Sequence, residues 1–198
     1  FEEASKDINV TVNAKVPEFS VETTEPKFVY GDSPKQIHFT NEGNVTVTAS
    51  SNNENVAIAE VIGENVVITP KQAGSTTVTV TSSGTSQYAE KSITINVLVA
   101  KTPVELTWSD NAFIYDGLQK QVNATVNNKV GSDVVTISSY TGNVGTNVGT
   151  YTARATGISN SNYTLEGGSN ITLTWVISNV LPAEIVVKQG GVEIPTDG

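Results

Sequence analysis

Two groups of residues recur along this chain at different spacings, so whatever it folds into must be built at least twice. Gly74, Thr77, Val78, Val80, Thr81, Ser86 and Tyr88 return as Gly149, Thr152, Ala153, Ala155, Thr156, Ser161 and Tyr163, with the Gly-to-Tyr interval held at 14. Phe28, Tyr30, Lys35, Gln36 and Ile37 return 85 positions later as Phe113, Tyr115, Lys120, Gln121 and Val122. Recurrence at fixed intervals marks a tandem array. A third, partial copy opens the chain, where residues 1–12 follow residues 88–99 at an offset of 87, with Ile8, Val10 and Val12 standing for Ile95, Val97 and Val99. Residues 1–16 are therefore expected to be the last strand of a preceding module, or an N-terminal extension.

The residue types decide what kind of unit is repeated. Val and Thr together number 54 and Ile 14, against 6 Leu. β-branched side chains lose freedom in a helix but pack well on a pleated surface, so the chain is expected to be all-β. There is no Cys and a single His, His38. That excludes a Cys nucleophile, a CxxC redox pair, a cysteine zinc site and a multi-histidine metal site within these residues. The net charge of −9, from 20 acidic and 11 basic residues, repels phosphate backbones and anionic lipid, so neither nucleic acid nor a membrane surface is an expected partner. No apolar stretch approaches the length of a membrane span, and membrane insertion is not expected.

Strands show as period-2 alternation, which puts every second residue on a buried face. The clear cases are Val45 and Val47, Val56 and Ile58, Val66 and Ile68, Thr76 to Val80, and Ile93 to Val99. Polar and Gly-rich clusters such as Asn41-Glu42-Gly43-Asn44 and Ile62-Gly63-Glu64-Asn65 separate them as turns. One module is expected over 17–100. Pro103, which cannot donate to a ladder, then opens a short joint into a second module over 101–180. There the expected strands are 104–108, 120–126, 134–137, 149–155 and 171–177, with Ile171, Leu173, Trp175 and Ile177 on one face. About seven short strands per module give two tandem immunoglobulin-like β-sandwiches. Residues 181–198 read as the start of a following module or a C-terminal hairpin.

A family resemblance is carried by these same residues. Lys27 to Ser33, Asn55-Val56-Ala57, Val66 to Pro70, Ala73 to Val80 and Tyr88 make the first module resemble bacterial Ig-like domains of the Big group. Phe113 to Gly117, Val148 to Ala153 and Ser161 to Leu165 make the second similar to the MBG-type domain of bacterial surface proteins. The resemblance implies an extracellular location on a bacterial surface and says nothing of a ligand. The motif residues have structural readings. Gly74 and Gly149 stand where a turn feeds a core strand, and Tyr88 and Tyr163 stand where a phenol can bury its ring and return its hydroxyl to the backbone. Tyr30 and Tyr115, before Gly-containing turns, read as packing residues.

Candidate sites are few. There is no GxSxG, HExxH, P-loop or GxGxxG, and His38 lies out of phase with Ile37 and Phe39, so it is expected to be exposed and catalysis is not expected. No DxD or DxN loop offers calcium ligands, Asp32, Asp110, Asp116 and Asp133 being scattered, and no metal or other cofactor is expected. Tyr140, in Ser138-Ser139-Tyr140-Thr141-Gly142-Asn143, is an aromatic in a polar, loop-like stretch and is the candidate for glycan contact. Lys35 and Lys120 fall on core-facing phases and are candidates for an internal isopeptide crosslink, against the simpler reading that each snorkels to water from a strand entrance. The function expected is that of non-catalytic modules spacing out a surface stalk, with neighbouring modules of the same chain as partners. The alternative is an adhesive module that binds a glycan or a surface protein through its unrepeated loops.

Overall fold

A computed structural model describes residues 7–179 and the backbone of 187–189 and 192–194. The chain is all-β and divides between Thr102 and Pro103 into two compact units. The first holds β1 (Phe19–Val21), β2 (Lys27–Val29), β3 (Lys35–Asn41), β4 (Val47–Ser51), β5 (Ala57–Ile62), β6 (Asn65–Pro70), β7 (Gly74–Ser82) and β8 (Lys91–Ala100). They form two four-stranded sheets, ordered β1-β3-β6-β5 and β2-β8-β7-β4. Inward residues of the two sheets, among them Ile37, Phe39, Val66 and Ile68 from one and Phe28, Val78, Val80, Ile95, Val97 and Val99 from the other, make a single buried cluster. This is an immunoglobulin-like sandwich, and the alternation along β3, β7 and β8 follows the expected phase. A buried Val or Ile of this kind stabilises the fold by about 1.5–3 kcal/mol relative to leaving it in water.

The phase fails at one strand. Val56 and Ile58 do not share a face: Val56 and Ala57 are buried while Ile58 is half-exposed. The cause is local hydrogen bonding. Asn53 closes a turn, its carbonyl accepting from the Val56 amide at 3.1 Å, so Val56 enters the core from a turn and β5 starts one residue later. Ala57, Ala59 and Val61 then face inward and Ile62 points to solvent.

The second unit holds all but the first residue of β9 (Thr102–Trp108), with β10 (Ala112–Ile114), β11 (Lys120–Gln121), β12 (Ala124–Val126), β13 (Ile137–Thr141), β14 (Val144–Gly145), β15 (Gly149–Ile158), β16 (Tyr163–Ser169) and β17 (Thr172–Ser178). A four-stranded sheet β10-β17-β15-β13 and a three-stranded sheet β12-β9-β16 are joined by the small pair β11-β14. The expected strand 120–126 is broken, since β11 pairs with β14 and β12 with β9. Between them the buried Val122 donates its amide to Asn143 O at 3.0 Å. Leu118, two residues before Lys120, is 66% exposed because it precedes β11 in a loop. The expected strand 134–137 is also displaced. A turn closed by the Asp133 amide on Val130 O leaves Val134 80% exposed, and the strand runs over 137–141 instead. The expected last strand, 171–177, is β17, and Asn170, with a φ of 56°, turns the chain into it from β16. Trp175 is buried, as its phase predicts.

β18 (Val187–Gln189) and β19 (Val192–Ile194) pair antiparallel. Of residues 1–16, the first six lie outside the described residues. Residues 7–14 belong to no strand, and Lys15 makes an isolated bridge to Tyr88.

Candidate functional site

Part of the repeated set lies where the chain enters and leaves each sandwich. In the first unit Lys91, the first residue of β8, donates from Nζ to Pro17 O at 3.3 Å, which places the entry beside the start of the last strand. The exit, Ala100, is at the other end of that strand, about 30 Å away for ten residues at strand rise. Near the exit β2 runs parallel to β8, pairing Phe28 with Val99 and Val29 with Ala100, and the Tyr30 amide extends the ladder to Ala100 O at 2.8 Å. The second unit repeats this. β10 runs parallel to β17, pairing Phe113 with Ile177 and Ile114 with Ser178, and the Tyr115 amide donates to Ser178 O at 2.9 Å. The shared Phe-x-Tyr of the repeat thus encodes a parallel clamp between an entry strand and the exit strand. Tyr30 also packs on the core, but Tyr115 is 44% exposed, so its side chain is not the packing residue the sequence suggests.

The entry ends are fastened differently. Tyr163 is buried, and its hydroxyl accepts from the Val130 amide at 2.7 Å and donates to Asp133 Oδ2 at 2.8 Å, which is the expected corner arrangement. Tyr163→Phe removes both bonds and leaves the Val130 amide short of an acceptor. We expect the second unit to lose about 1–3 kcal/mol in urea denaturation, with the first unchanged. Tyr88 instead lies against Gly43, where an added Cβ would come within 2.4 Å of its Cε2. Around it Lys15 is pinned: its amide donates to Gln87 O and its carbonyl accepts from Ala89, both at 2.8 Å. Lys15 Nζ pairs with Glu42 Oε1 at 2.5 Å, and Glu42 Oε2 accepts from the Glu18 amide at 3.0 Å. Sequence reasoning missed this clasp, although Lys15-Val16-Pro17 and Lys101-Thr102-Pro103 share a Lys-x-Pro pattern.

The clasp has a pH signature. The hydrogen bond from Lys15 and then that from the Glu18 amide hold the Glu42 carboxyl below its ordinary value, and the same bond to Glu42 raises the Lys15 ammonium. A depressed carboxyl contributes stability above its unfolded value and loses it as pH falls through the folded one. Amide protection of Lys15 and Glu18 in hydrogen exchange is therefore expected to be full at neutral pH and to fall away below about pH 4. In Glu42→Gln it is expected to be weak at both. Lys15 is exposed and Glu42 only half-buried, so the effect is local rather than global.

Tyr140 is placed differently from its expectation. It lies within β13, half-buried, not on a loop. Its hydroxyl accepts from the Ala124 amide at 3.0 Å and donates to Ala124 O at 3.2 Å, and its ring packs on Trp108 at 5.7 Å between centroids. Those bonds join β13 of one sheet to β12 of the other. Lys35 stands at the entrance of β3, exposed, where its ammonium donates to Lys27 O and lies 4.7 Å from the Phe28 ring centroid. Lys120, at the start of β11, pairs with Asp116 Oδ2 at 2.5 Å. Bonds from Lys120 and from the Leu118 amide hold the Asp116 carboxyl below the usual range. His38 is exposed and borders a groove of about 360 Å³ with Asn41, Asn44 and Glu64. A second groove of about 510 Å³ lies over β2, β7 and β8, lined by Lys27, Asn52, Thr77, Asn96 and Leu98 and by no aromatic ring. Among the described residues no three acidic or histidine side chains converge as a metal site would need, and no helix is long and apolar enough to cross a membrane.

No family model and no curated protein matches the chain. Among solved structures it is similar to the surface layer protein SbsC, domains 4–9, at 16% identity over 86% of this chain with a TM-score of 0.35. It spans 32% of the length of that structure. It is similar to the S-layer protein SbsC, domains 5–6, at 17% identity over 83% of this chain and 100% of that one, TM-score 0.34. It is also similar to the titin domains z1z2 in complex with telethonin, at 14% identity over 84% of this chain and 97% of that one, TM-score 0.40.

Proposed function

We propose that this chain is a run of non-catalytic modules that space out and bear tension in an extracellular stalk on a bacterial surface, the first module of Big type over 17–100 and the second of MBG type over 101–180. The observation that carries this reading is the parallel clamp present in both units. In each, the exit strand is bonded to a strand that enters from the opposite end. Pulled by its ends, a parallel pair is loaded along its length, so its hydrogen bonds must fail together instead of one at a time from an end. The residues that repeat between the modules serve this frame: Phe28 and Phe113 as clamp strands, Tyr163 as a corner, Val78, Val80, Ala153 and Ala155 as core. The adhesive alternative drew on Tyr140, whose hydroxyl is spent on the Ala124 backbone.

The test is to stretch single molecules of the whole chain by its two ends. Two separate openings are expected, each lengthening the chain by about 250 Å, the extended length of about 80 residues less the folded span. Tyr115→Pro, which deletes the clamp donor along with an exposed ring, is expected to lower the force of one opening and leave the other unchanged. Opening of either unit strand by strand, or retention of a glycan by the intact chain on an array, would sink the reading.

A further inference from the structure

Ile8, Val10 and Val12 are 81%, 78% and 87% exposed, and they alternate in sequence with Asn9 and Thr11 in a segment that belongs to no strand. Single exposed apolar residues are ordinary, but a period-2 row is the inner face of a strand without a sheet. The repeat says what should cover it. The counterparts at offset 87 are Ile95, Val97 and Val99 on β8, which are 0%, 2% and 1% exposed. That strand has a ladder on each side. It is antiparallel to β7, with Ile95 opposite Val78, Val97 opposite Thr76 and Val99 opposite Gly74, and parallel to β2, with Val99 opposite Phe28. A sequence with the same inner face but neither neighbour is a central strand taken from its sandwich. Just after it, Lys15 is bonded to Gln87, Ala89 and Glu42, so the segment reaches the first unit at a fixed point.

We infer that residues 8–12 are the closing strand of a third sandwich, and that their partner is an immunoglobulin-like sandwich lacking its own last strand. The inference rests on the array reading above and adds the partner's open slot and its register. Ile8, Val10 and Val12 enter that core opposite the counterparts of Val78, Thr76 and Gly74, while Asn9 and Thr11 face solvent. The slot has one strand to receive the segment antiparallel and one to receive it parallel.

The test supplies such a partner from the chain itself. Residues 15–87 are joined directly to Phe1 of the whole chain, so that the duplicated sandwich can be closed only by residues 1–14. A control carries residues 15–100 ahead of residues 14–198, closing the duplicate with a true β8. In the fusion a third cooperative unit is expected, with amide exchange at 8–12 slowed at least about a hundredfold relative to the parent chain. Val10→Asp in the fusion is expected to abolish the third unit and leave the other two as they were. The inference fails if the control forms a third unit and the fusion does not, or if the fusion's third unit survives Val10→Asp. A control without a third unit overturns the array reading, and this inference with it.

Discussion

Trp175→Ala is expected to unfold the second unit under conditions where the first stays folded. Trp175 is 1% exposed and holds three elements at once. Its ring stacks on Tyr151 of β15 at 4.6 Å and meets Phe113 of β10 edge-on at 5.8 Å. Its Nε1 donates to Gly142 O at 3.0 Å, tying β17 to the turn after β13. Truncating a buried tryptophan costs about 3–5 kcal/mol from lost burial and the cavity left behind. The Gly142 carbonyl then loses a donor, which adds about 1 kcal/mol. A domain of this size has about 5–10 kcal/mol in total, so most of its stability goes. The measurement is direct, because both tryptophans, Trp108 and Trp175, lie in the second unit. Trp108 fluorescence in urea therefore follows that unit alone in the variant, while circular dichroism shows the first unit melting at its unchanged midpoint. A single transition shared by both units, or a shift under about 1 kcal/mol, would refute the assignment of Trp175 as the centre of this core.

How much of this was legible in the sequence depends on the range of the interaction involved. Alternation reports which face of a strand is buried, and it located the cores of β3, β7, β8 and β17 because those strands are regular and solvated on one side only. It failed where a turn delivers a residue into the core, as Asn53 does for Val56, and where one segment serves two sheets, as 120–126 does through β11 and β12. Tyr140 was misplaced for a related reason. β13 is an edge strand with register shifts at Ser139, and the small polar residues that suit an irregular edge have the composition of a loop. The Lys15–Glu42 clasp joins residues 27 apart in sequence, and no local pattern in either segment announces the other. What the repeat did announce, the tyrosines and the clamp strands, is the part of the frame that both units need.

The glycines show the same limit, and they support a second prediction. Sequence repetition points to Gly149, the counterpart of Gly74, as the position that must lack a side chain. Around Gly149, however, a Cβ would meet only Tyr151 Cε2, at an ordinary 3.8 Å. The requirement falls on Gly142, seven residues earlier and outside the repeated set. Its φ is +64°, and a Cβ there would be 2.1 Å from the backbone oxygen of Thr152 in β15. A side chain could swing away from such a contact, but a strand oxygen bonded into the sheet cannot. Gly142→Ala therefore has to displace the turn from β15, which also draws the Gly142 carbonyl away from Trp175 Nε1. Left-handed strain costs about 1 kcal/mol, and the displaced turn with its lost bond raises the expected loss to about 2–4 kcal/mol. Gly149→Ala, in an extended strand with room for a methyl, is expected to be neutral or to gain up to about 0.5 kcal/mol by stiffening the unfolded chain. Urea midpoints of the two variants, read by tryptophan fluorescence, should differ by at least about 1.5 M at the shallow denaturant slope of a small domain. Equal midpoints, or Gly149→Ala as the weaker variant, would mean that the repeated glycine, and not the turn beneath Trp175, fixes the approach of β13 to β15.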